Sequence, residues 1–174
     1  MIIAIIIVVL VLYVISVQHR LVGINENISH AMNQITVQLS SRLDALHVLL
    51  ALTEKYCPRE YQPLSETAKS LHSITSASSP KNIQEQEQMI NKLLRCITIL
   101  AEKSPELKTD ENYLQCMAAM DNYENMFQTS RLIYNDHVNR LNRELQMFPA
   151  SVIAGIFGIH KKEYLEQAEF PALL

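Results

Sequence analysis

The chain has 174 residues, one domain's worth, of which 48% are hydrophobic, with six Pro and only three Gly, a balance that favours helix over sheet. A formal net charge of -3, with Lys and Arg placed singly rather than in a face or tail, excludes the electrostatic footprint of a nucleic-acid binder. Three cysteines, Cys57, Cys96 and Cys116, form no CxxC and leave an odd count, so neither a zinc site nor a complete disulfide framework is indicated; free core thiols in a reducing compartment are expected.

Residues 1–17 carry no charged side chain, and as a helix they span roughly 25 Å, near the short end for a bilayer crossing. The reading is a membrane anchor. No basic region precedes the apolar core and no small-x-small cleavage site follows it, so the anchor is expected to stay on the protein. Arg20 is the only nearby basic residue, and together with the unpaired cysteines it places the body in the cytoplasm.

Beyond the anchor, Leu21, Ile24, Ile28, then Met32, Ile35, Leu39, then Leu43, Leu46, Leu50 form trios that repeat after eleven residues. That period nearly matches an undistorted helix, which predicts one long, fairly straight helix to about Tyr56, with Gly23 its weak point. Pro58 and Pro63 mark its end and the first turn of the next helix, which Tyr61, Leu64, Ala68 and Leu71 continue. The Ser/Thr-rich run 73–80 is a solvated connection. A third helix follows from about Asn82 to Lys103, with stripe Ile83, Ile90, Leu94, Ile97, Ala101 and a polar flank over 84–88. Ser104-Pro105 closes it, and Thr109 or Asp110 can cap the fourth.

The fourth helix is predicted to run to Phe148-Pro149, and its ladder at spacing 3 and 4 reads Met117, Met120, Glu124, Phe127, Arg131, Tyr134, Val138, Leu141, Leu145, Phe148. Two members are charged. Glu124 and Arg131 stand on the face that should be dry, where an unpaired charge costs several kcal/mol, so other helices must supply their partners. Arg42 and Asp44 have the right charges, although their spacing turns them to different sides of the first helix. The polar layer expected inside the body is therefore Arg42, Asp44, Glu124, Asn125, Arg131, Tyr134 and Asn135. Exposure through a different helix rotation and a functional polar pocket are the competing readings of the same residues.

After Pro149 comes an apolar run, 151–159, too short to cross a bilayer and followed at once by His160, Lys161 and Lys162. Helix lengths bring this segment back to the base of the body beside the anchor. Val152, Ile153, Ile156, Phe157, Lys161 and Lys162 are thus membrane-proximal candidates, lying in the lipid interface or folding back over the core.

Catalytic signatures are missing from the pattern. A di-metal carboxylate bundle needs Glu-x-x-His on two helices, and no His here follows a Glu by three residues. There is no HExxH, and Gly at 23, 155 and 158 alone cannot build a phosphate loop. No catalytic residue, metal or cofactor is expected. His137, beside Tyr134-Asn135, is the best-placed group for a hidden site, against the plainer reading of a helix-surface histidine.

Several runs carry a resemblance: Ser104-Pro105-Glu106-Leu107-Lys108, Asn112 with Leu114-Gln115, Glu124-Asn125, Arg131, Tyr134-Asn135, Phe148-Pro149, Ile153-Ala154 and Phe157-Gly158. Upstream, Ile35, Val37-Gln38-Leu39, Arg42 and Asp44 extend it. In order and spacing the chain resembles the LemA family, a bacterial group with one amino-terminal membrane helix and an all-helical body. It departs from the family where Gln18-His19 replaces a usual Tyr-Asn and His47 a usual proline.

The resemblance implies an inner-membrane protein without an established activity; one relative belongs to the machinery of bacterial magnetosome membranes. Together these readings predict an all-α chain. Residues 1–17 form a transmembrane anchor, 18–149 an elongated antiparallel four-helix bundle, and 150–174 a short helical, apolar and basic segment near the membrane. The expected function is a membrane-anchored interaction or organising scaffold that meets the lipid bilayer and a membrane or cytoplasmic protein partner. Self-assembly through the Gln-rich face of the third helix is the alternative partner. A membrane-bound enzyme or small-ligand binder using Glu124, Arg131, Tyr134 and Asn135 is the alternative function.

Overall fold

A computed structural model describes residues 1–72 and 74–166; Ser73 of the connection and residues 167–174 of the carboxyl-terminal segment lie outside the described residues. The fold is all-α. Its helices are α1 (Ile2–Tyr56), α2 (Pro58–Ala68), α3 (Pro80–Lys103), α4 (Pro105–Lys108), α5 (Glu111–Glu144) and α6 (Ala150–Phe157), and among the described residues there is no strand.

Helix boundaries follow local chemistry. Nothing inside α1 breaks it, and it stops just before Pro58, which disfavours helical backbone in the residue ahead of it. Pro58 takes the first position of α2, where its missing N–H costs nothing; Pro63 lies inside that helix rather than at its start, at the loss of one backbone bond. The Ser79 hydroxyl accepts from the Asn82 amide and Pro80 follows, so α3 begins two residues earlier than its apolar stripe suggests. Asp110 caps α5 by accepting from the amides of Asn112 (2.8 Å) and Tyr113 (3.3 Å).

At its other end α5 finishes at Glu144, short of the expected Phe148. The last turn tightens into i to i+3 bonds at Gln146 and Met147, and Pro149, with no N–H to donate, cannot continue α5. Phe148, the final rung of the apolar ladder, is 85% exposed as a result. After α6, Gly158 adopts the left-handed conformation (φ 66°) that a side chain would resist, and the Ile159 amide closes the helix on the Ala154 carbonyl.

The described residues separate into two compact units. One comprises Met1–Met32 with Arg131–Tyr164. Its interior is made by Val17, Leu21, Ile24, Ile28 and Ala31 of α1, Tyr134, Val138 and Leu141 of α5, and Ala150, Ile153 and Ala154 of α6. The segment after α6 returns along α5: the Tyr134 hydroxyl donates to the Glu163 carbonyl (3.0 Å), and the Asn142 amide donates to the Lys162 carbonyl (2.8 Å) while accepting from its N–H (2.9 Å).

The second unit holds residues 33–130 with Leu165 and Glu166. Within it α1 and α5 are antiparallel, since Tyr56 meets Asp110 at one end and Arg42 meets Glu124 further along. Contacts of Arg42 with Asn91 and of Gln128 with Glu87 run α3 against α5 in the same sense. Ile35, Leu39, Leu46, Leu49, Ile83, Ile90, Leu93, Ile97, Leu107 and Phe127 fill this core, each such side chain contributing about 2 kcal/mol by leaving water.

Eight of the nine positions of the eleven-residue reading are buried on α1, and its face departs from that reading at Leu43. Buried positions run Leu39, Arg42, Leu46, Leu49, Thr53, and Leu43 is only half-buried. The steps alternate 3 and 4, as in a heptad. Apolar letters alone concealed this, because the rung between Leu39 and Leu46 is a guanidinium. The stripe of α3 shifts likewise: Leu93 is buried where Leu94 was expected, and Gln86 and Glu87 of the supposed polar flank face inward.

Candidate functional site

The polar interior of the second unit is built around Arg42, which is 1% exposed. α1 delivers it between Leu39 and Leu46, and it bonds Glu124 of α5 at 2.5 Å and the Asn91 side-chain oxygen of α3 at 2.6 Å. The Gln128 amide donates to Glu124 one turn before it and reaches Glu87, fully buried on α3, at 3.5 Å. Burial pulls the Arg42 guanidinium below its ordinary pKa, and the Glu124 and Glu87 carboxylates oppose that pull. A guanidinium starts so high that it stays charged, so the cluster is ionic and held by charge-assisted hydrogen bonds.

Three residues named for this layer do not join it: Asp44, Asn125 and Tyr134, whose hydroxyl is bonded in the first unit. Asp44 is exposed because two residues along a helix turn a side chain about 200° from Arg42, and Asn125 is exposed because one residue turns it about 100° from Glu124. Arg131 is buried and Asn135 half-buried. Tyr134 is buried with its hydroxyl on the Glu163 carbonyl, and burial first, then the nearby Glu163 carboxylate, raises its pKa. Glu87, Asn91 and Gln128 of this cluster, and Asn142 within the first unit, are polar contributors that the sequence reading missed. For Glu87 a signal existed: it stands four residues after Ile83 and three before Ile90, on the stripe itself.

Polar groups at the surface are less organised. Among the described residues no three His, Cys, Asp or Glu side chains converge as a metal ion requires. Asp44 and His47 do share a three-residue carboxylate–histidine spacing, but both face solvent, and His137 is half-buried. A cleft of about 380 Å³ lies between the start of α2 and the end of α3, where Arg59, Glu60 and Lys103 are exposed to solvent. The three cysteines are free thiols, half-buried rather than in the core, and burial raises the pKa of Cys116.

The first unit carries the apolar surface. α1 is long and apolar enough at its amino-terminal end to cross a membrane, and that stretch is almost wholly exposed. Of the membrane-proximal candidates, Val152, Ile156, Phe157, Lys161 and Lys162 are exposed. Ile153 is not: it turns inward with Ala150 and Ala154, one of the three positions by which an eight-residue helix must hold to its neighbours.

The LemA family's sequence model matches residues 31–172, everything after the first half of α1 except the last two residues. No curated protein matches the chain.

Proposed function

The chain belongs to the LemA family, and from that premise we propose that it is a non-catalytic, membrane-tethered helical scaffold, presenting its body to a protein partner at the cytoplasmic face of a bacterial inner membrane. One observation carries the reading: the polar residues that would serve a ligand are engaged in holding helices together. Glu124 is bonded to Arg42 and Gln128, and Tyr134 is bonded to the backbone of Glu163. A binding site needs convergent polar groups facing a space; these face each other. The exposed apolar stretch of α1 supports the tether, since such a surface is stable only in lipid or against another protein.

The test is photo-crosslinking of the full chain in intact membranes, beside a metabolite-binding assay on the purified full chain. Expected are retention in the membrane after alkaline washing and a reproducible set of crosslinked proteins that Tyr134→Phe leaves unchanged. Saturable binding of a small molecule, lost in a Glu124→Gln variant that still folds, would overturn the scaffold reading in favour of a ligand binder.

A further inference from the structure

We propose that α6, with the cations that follow it, is a second membrane contact: an interfacial seat in the head-group region of an anionic bilayer, beside the point where α1 leaves the lipid. The inference rests on the tether reading above. Its first support is which side chains α6 turns outward. A helix folded over a core as a lid would bury its large apolar residues and expose its small ones. Of its four large apolar residues α6 buries only Ile153, beside Ala150 and Ala154, and exposes Val152, Ile156 (75%) and Phe157, with Met147 and Phe148 exposed in the turn before it. Five large apolar side chains within eleven residues are thus left facing outward.

The second support is the level at which this surface sits. Arg20, three residues past the end of the apolar stretch, is bonded to Glu144, the last residue of α5. Asn142 holds the Lys162 backbone through two hydrogen bonds, about 3 Å of helical rise from Glu144. The exit of the apolar stretch, the start of α6 and the Lys161–Lys162 pair therefore share one end of the same unit. Apolar side chains entering the acyl boundary with cations just above them is the arrangement of an interfacial helix on anionic lipid. Lipid is the occupant that continues the exposed apolar surface of α1, and the exposed Lys161 and Lys162 complement its head-group charge.

The chain contains no Trp, so single Trp substitutions report without interference. The full chain is reconstituted in phosphatidylcholine–phosphatidylglycerol vesicles carrying lipid spin-labelled near the head group. Phe157→Trp is expected to emit in the blue and to lose most of its emission to the label, while Leu132→Trp, on the exposed side of α5, emits as in water. Adding Lys161→Gln and Lys162→Gln to Phe157→Trp should reduce the quenching. Ile6→Trp, read with a label deep in the acyl chains, separates the two readings. If Ile6→Trp is quenched and Phe157→Trp emits as in water, the seat is overturned and the tether stands. If Ile6→Trp escapes quenching, the tether falls and the seat with it. Blue emission from Phe157→Trp without lipid quenching would mean that protein, such as a second copy of the chain, covers α6, and would also overturn the proposal.

Discussion

A guanidinium with 1% of its surface exposed has to find its charge partners inside the protein, and Arg42 finds Glu124 on α5 and Asn91 on α3, with Glu87 close enough to act on its charge. Removing the cation takes the countercharge from two carboxylates, whereas neutralising Glu124 leaves Arg42 its other partners. Arg42→Met is therefore expected to cost about 3 kcal/mol and Glu124→Gln markedly less, read from the urea midpoints of the detergent-solubilised chain. Equal losses would show that Arg42 serves Glu124 alone. Tyr134 gives a second test. Its pKa is raised in the folded chain, so folding favours the neutral phenol, and its contribution is fully present below about pH 10 and lost as pH rises through the folded value. The stability difference between the parent and Tyr134→Phe should accordingly shrink in strongly alkaline buffer; a difference that grows with pH would reverse the assignment.

Elements in this chain are positioned by a few polar clamps at their ends. Asn142 ties the segment after α6 to α5 by pairing with both backbone groups of Lys162. Asn142→Ala should release that segment locally at a cost of about 1–3 kcal/mol, seen as faster hydrogen exchange at the Lys162 amide with the amides of α3 unchanged. Asp110 works at the other end of α5, where it caps the helix and accepts from the Tyr56 hydroxyl. The Tyr56 bond, with help from the Tyr113 and Asn112 amides, holds the Asp110 carboxyl below its ordinary pKa. Its contribution is present above about pH 4 and disappears as pH falls through the folded value. Asp110→Ala should therefore lower the melting temperature at neutral pH, and the gap from the parent should close in acid.

At the scale of the whole molecule, the proposed tether sets where everything else can act. Arg20 follows the apolar stretch directly, which motivates the proposal of a cytoplasmic body. A reporter active only outside the cytoplasm, fused after Leu174, should stay silent in bacterial cells. A strong signal would place the body and α6 on the opposite face and require the crosslinking partners to be sought there.

The all-α class, the apolar stretch at the amino-terminal end of α1, the Tyr56 boundary and the family were legible in the sequence, because helix periodicity, proline positions and uncharged runs are local properties that adjacent residues decide. Burial of charge was legible only in part. Glu124 and Arg131 announced themselves by interrupting an apolar ladder and Arg42 was legible as a partner for Glu124, but the heptad seam that Arg42 occupies in α1 was not, and Glu87 passed as part of a polar flank. A charged side chain inside a stripe looks the same as one outside it until its partner is placed, and the partners of Arg42 lie 49 and 82 residues away along the chain. The orientation of α6 was likewise open in the sequence, since both of its faces are apolar. Tertiary packing decided it, by admitting Ala150, Ile153 and Ala154 against α1 and α5 and leaving the bulkier Ile156 and Phe157 outside.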